Sequence, residues 1–188
     1  MSSKYAGRKV GNGSIWLFAP RLRSGLARSQ RSIIPRMAAG NLKRDLLRHF
    51  LATIAYRARK TIVGAPKDFA DFDAGHGVRT PVEILSHISS VLRHAHSFLV
   101  ADEATKMQLG TWEEEIDRFS QMLSKLDKSL ESGIELRGRT EEELLQGPLA
   151  DAMTHVGQLA MLRRMASSPI PKEDFDVVPI RLGDVSLT

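Results

Sequence analysis

The chain has 188 residues, enough for one domain with a sizeable buried core, and its 27 Lys and Arg against 22 Asp and Glu give a net charge of +5. It has no cysteine, which excludes disulfides and thiolate metal ligation, so any bound metal must take nitrogen and oxygen ligands. The charge is unevenly spread: residues 1–36 hold eight basic side chains and no acidic one, whereas residues 37–188 hold 19 basic and 22 acidic, a balance of −3.

Residues 1–40 read as a basic, Ser- and Gly-rich leader, expected to be disordered. Such a segment fits an arm for nucleic acid or anionic lipid, a transit-like peptide, or translation from an upstream start. Met37-Ala-Ala-Gly-Asn-Leu-Lys resembles an ordinary protein start and favours the last. Its one apolar run, Ile15-Trp-Leu-Phe-Ala19, is far short of the roughly 20 residues a membrane span needs. The expectation is a cytoplasmic protein without membrane contact.

Four helices follow. Asn41 is a candidate N-cap for a first helix whose stripe is Leu42, Leu46, Leu47, Phe50, Ile54 and Ala58, ending at Gly64-Ala-Pro66. Residues 67–79 lack a sustained period and read as a loop. Thr80-Pro-Val-Glu83 is a capping box with proline at the first helical position, opening a helix to about Val100 with Ile84, Leu85, Ile88, Val91, Leu92, Ala95 and Leu99 inward. Thr111-Trp-Glu-Glu114 opens the third, through Ile116, Phe119, Met122, Leu123, Leu126 and Leu130 to a C-cap at Gly133, and Trp112 is placed to shield a helix end. Thr140-Glu-Glu-Glu143 starts a short turn, and Gly147-Pro148 is read as resetting the chain before a fourth helix over about 149–166. Residues 171–188, with Val177-Val-Pro-Ile180 as the only strand-like piece, are expected to be an extended tail lying over the bundle. The pattern predicts an all-α, up-and-down or crossed four-helix bundle spanning 41–170, its second and third helices neighbours.

Chemistry concentrates in Gly147-Pro-Leu-Ala-Asp-Ala-Met-Thr-His-Val-Gly-Gln158, where Asp151 and His155, four apart, share a helical face. His87 in Thr80-Pro-Val-Glu-Ile-Leu-Ser-His87 offers a second imidazole on an apolar helix. Two imidazoles and a carboxylate on facing helices suit a divalent first-row cation such as Zn, Ni, Fe or Mn, with one coordination position left open. The same spacing also serves a plain Asp–His ion pair worth a few tenths of a kcal/mol in a scaffold without catalysis, and both readings stand at this point. Gln158, one turn beyond His155, can hydrogen-bond a metal ligand or a substrate. Arg163 and Arg164 complement the dipole at the helix end or capture an anion. His49, His76 and His96 have no partner at ligand spacing and are read as solvated or loop residues.

The run Asp151-Ala-Met-Thr-His155-Val-Gly-Gln158-Leu-Ala-Met-Leu-Arg-Arg164 resembles the last helix of the DinB-like superfamily of metal-binding four-helix bundles. The family pattern there is His-x-x-x-His-Arg-Gly-Gln; this chain has Asp at the first ligand position and Val in place of Arg, and His87 matches the helix-two histidine. Carboxylate at the first position is similar to the mycothiol-dependent maleylpyruvate isomerase branch, with its Glu-x-x-x-His. The resemblance implies His87, Asp151 and His155 as ligands of Zn or Ni, a homodimer, a small-molecule substrate, and a thiol-dependent transferase or isomerase using a low-molecular-weight thiol.

Overall fold

The computed structural model describes residues 36–101 and 107–187, and the basic leader and the readings attached to it lie outside the described residues. The described residues form α1 (Arg36–Ile62), α2 (Pro81–Ser97), α3 (Trp112–Glu131), α4 (Glu141–Leu144) and α5 (Ala150–Met165), with one 3₁₀ turn at Phe69–Asp71 and no strand. A π turn, Leu145–Leu149, joins α4 to α5, so the helices make four rods. None among the described residues is long and apolar enough to cross a membrane.

The all-α bundle read from the sequence is the one observed, in its crossed form. Midway along α1, Arg48 meets Asp127 near the end of α3, and at its end Thr61 meets Arg163 at the end of α5. His96 and Ser129, in the last turns of α2 and α3, lie 3.1 Å apart. Thus α1 and α5 run one way and α2 and α3 the other. Both α2 and α1 pack against α3 and α5, which places the two helices adjacent in sequence at opposite corners.

Local signals account for most helix ends. The Glu83 carboxylate accepts from Thr80 N at 2.8 Å; Thr111 and Glu114 make both capping bonds, as do Thr140 and Glu143. Gly133 follows α3 at φ +74°, the left-handed conformation glycine adopts without penalty.

Three readings need correction. The first helix begins at Arg36, so Asn41 is within it and not its cap: Met37, Ala38 and Ala39 are strong helix formers and extend it backwards. Its buried face is Leu47, Leu51, Ile54, Ala55 and Ala58, while Leu42 and Leu46 are 70% and 60% exposed, because at 100° per residue the stripe through Leu47 and Leu51 turns them outward. Gly147-Pro148 does not interrupt the fourth rod. Proline has no N–H for the carbonyl four residues back, and the helix passes it by widening: Ala150 N–H bonds Leu145 O, an i→i+5 closure.

The core joins these faces through Phe119, Leu123, Leu126, Leu85, Ile88, Leu92, Leu159 and the turn residue Phe69, against whose ring Trp112 packs edge-on at 5.8 Å. The tail lies on the bundle as expected, although Val177–Ile180 forms no strand. Val185 and Leu187 enter the core, Arg57 stacks on Phe175 at 3.9 Å, and Glu173 takes bonds from Tyr56 and Lys60.

Candidate metal centre

Asp151, His155, Gln158, Leu162 and Met165 recur at intervals of three and four on α5, so one line of side chains faces the N-terminal half of α2. Opposite them stands His87, between the buried Ile84 and Ile88. The His87 and His155 rings meet edge to face at 4.5 Å between centroids, and His155 Nε2 lies 3.4 Å from Asp151 Oδ1. One ligand atom from each of the three residues falls within 4.8 Å of the other two. Bonds of 2.0–2.2 Å to a tetrahedral ion place ligand atoms roughly 3.4 Å apart. The Asp151–His155 pair already stands at that spacing, at 3.4 Å, and the whole cluster stays within 4.8 Å.

The Gln158 side-chain amide meets His155 Nδ1 at 2.8 Å and so orients the ring. The 3.4 Å approach of His155 Nε2 to the Asp151 carboxylate suits an ion pair and suits two ligands of one cation. Gln158 thus contacts a candidate ligand residue, and its own exposed side chain also lines the adjoining groove.

Burial, then the neighbouring His155 ring and the Arg79 guanidinium, hold the His87 pKa below its ordinary 6.5, against a smaller opposing pull from Asp151. A neutral imidazole is the form that ligates metal. Because His87 takes up its proton at lower pH in the folded chain than in the unfolded one, its contribution to stability is complete above about 6.5 and declines as pH falls through that value toward the folded pKa. In zinc-free protein an NMR titration of the His87 ring should therefore show a midpoint below the ordinary histidine value; one at or above it would contradict this environment.

Two grooves flank the three residues. One, of about 490 Å³, is lined by His155 and Gln158 with Arg79, Ile84, Met161 and Met165; the other, of about 710 Å³, by Asp151 with His94, Gln146 and Pro148. Nothing in the sequence pointed to Arg79, which sits in a loop without period, although Met161 and Met165 fall on the extension of the Asp151–His155 face. His96 is not solvated as read, since it is half-buried against Ser129. Arg163 neither caps a dipole alone nor faces an anion: it is 5% exposed and donates to backbone carbonyls at the end of α1. Comparison with protein-family models, with curated proteins and with solved structures finds no match.

Proposed function

We propose that this chain is a DinB-like metal-dependent enzyme in which His87, Asp151 and His155 hold a divalent cation. The observation that carries the reading is the convergence of their ligand atoms within 4.8 Å, with Gln158 fixing the second nitrogen of His155. A buried imidazole ordered from behind by an amide, beside a second imidazole held neutral, is the outer support that metal ligands require. Three protein ligands leave a fourth position, where a bound zinc or nickel ion would acidify a water or thiol. The chain's own parts then have distinct tasks: the two imidazoles and the Asp151 carboxylate bind, Gln158 orients, and the groove beside them holds a small-molecule substrate. Thiol-dependent transfer or isomerisation is the chemistry the resemblance implies, in a cytoplasmic homodimer.

A second reading has its own observation. The 3.4 Å approach of Asp151 to His155 at i,i+4 is also that of an ion pair in a non-catalytic scaffold. Elemental analysis of the chain purified without a His-tag separates the two. The enzyme reading expects about one equivalent of zinc or nickel, falling below a tenth in His87→Ala and in His155→Ala. Wild-type protein that holds less than about a tenth of an equivalent after incubation with zinc and gel filtration would leave only the scaffold.

A further inference from the structure

We propose that the groove between the 74–79 loop, the first turns of α2 and the last turns of α5 recognises a small amphipathic carboxylate, gripping its anionic group with Arg79 and its apolar body with Met161 and Met165. This names the substrate class of the metal site proposed above and rests on that reading for what happens to the ligand; the recognition itself belongs to the groove.

Size is the first ground. At about 490 Å³ the groove lies in the range of small-molecule sites and is too small for a folded partner. Its walls are the second. Val78, Met161 and Met165 are 48%, 58% and 50% exposed, and they gather on this one concave surface with Ile84 and Leu162 behind them. Unbranched thioether side chains adapt to ligands of irregular shape, and exposed apolar side chains clustered in a groove mark a binding surface more than scattered ones do.

Charge supplies the third ground. Among the described residues no acidic one lines the groove, since Asp151 opens on the other side, and its polar groups are Arg79, His76, His155 and Gln158. Arg79 is exposed and has neither an ion pair nor a hydrogen bond to any described residue, in contrast to Arg48, paired with Asp127 and Glu131, and Arg163, bound to carbonyls. An unpaired guanidinium at the rim of an apolar groove matches a carboxylate in geometry and charge. Arg79 lines the same groove as His155 and Gln158, which places that anion beside the candidate metal ligands.

Calorimetric titration of the full chain with sodium octanoate, using octylamine as the cationic control, tests this in zinc-free buffer and again with one equivalent of zinc. Octanoate should bind saturably in both, octylamine at least about tenfold more weakly, and Arg79→Gln and Met165→Glu should each weaken octanoate by a similar factor. Arg79→Gln should leave the zinc content unchanged. Absence of octanoate binding, equal binding of octylamine, or binding that Arg79→Gln does not alter would overturn the proposal, and the last, if confined to zinc-loaded protein, would identify the carboxylate as a metal ligand only. Zinc retention without octanoate binding removes the groove proposal alone; Arg79-dependent octanoate binding by a chain that holds no zinc supports the groove and removes the metal reading instead.

Discussion

Zinc at a thousand times its dissociation constant is expected to raise the unfolding free energy of the wild-type chain by about 4 kcal/mol, and that of His155→Ala by almost nothing. The ligands come from α2 and α5, two separate rods, so the unfolded chain has no assembled site and zinc favours the folded state almost exclusively. Urea denaturation with and without zinc measures the difference. The same experiment with His155→Leu discriminates the scaffold reading. If Asp151 and His155 form only an ion pair, an apolar replacement leaves stability unchanged or improves it, with or without zinc, because pairing buried charges is often no better than packing. Coincident wild-type unfolding curves in the two buffers would remove the metal-dependent reading.

Arg163→Ala is expected to cost about 3 to 5 kcal/mol of stability. The last carbonyls of a helix have no partner within it, and at the end of α1 those carbonyls are turned inward. Arg163 answers them from α5: Nη1 donates to Thr61 O at 2.9 Å, Nη2 to Gly64 O at 3.0 Å, and Nε to Ser168 O at 2.9 Å. Thr61 is 1% exposed, so water does not replace the donor lost there, and a buried carbonyl left without a partner costs about 1 to 3 kcal/mol, beside the loss of the charged bonds to Gly64 and Ser168. The guanidinium also lies over the Phe69 ring, and its removal opens space beside a core aromatic. Arg163→Lys should recover only part of the loss, since one ammonium cannot serve carbonyls on two sides of a planar fork. A urea-derived change below about 1 kcal/mol for Arg163→Ala would show that the chain end rearranges to bond itself.

Much of the bundle was legible because its signals are local. The three Thr-x-x-Glu boxes open α2, α3 and α4 where the sequence placed them, and the stripes of α2 and α3 fall on the predicted residues because both helices are amphipathic on one side. Asp151 and His155 were legible for the same reason, being one turn apart on one helix; His87 was legible as a second imidazole on an apolar helix, and the resemblance added weight to it, since nothing local says which face of α2 will meet α5. What escaped depends on tertiary arrangement. Leu42 and Leu46 keep helical spacing with the core of α1 yet lie outward, because the rods beside α1 cover only the face that starts at Leu47. Arg163 looked like any basic residue in a last turn until α1 ended beside it. Arg79, without a partner among the described residues, is significant only once α5 supplies the groove wall.

The π turn at Leu145–Leu149 has a consequence for how this molecule tolerates changes of chain length. Leu144 and Leu149 are both fully buried although five apart, a spacing that on an ordinary α-helix leaves them some 140° apart around the axis. The widened turn absorbs that phase slip. Upstream, α4 takes its position from α1 through Arg44 and Lys43 on Glu141 and Glu142; downstream, α5 takes its own from α2. Loss of a single residue between Leu144 and Asp151 would therefore swing Asp151 and His155 about a quarter turn away from His87 without altering any ligand, or else drag Leu159 and Leu162 out of the core to keep them facing it. Variation in length that surface loops readily accept is closed to this short stretch, because the position of the candidate metal ligands is set by counting residues from Pro148.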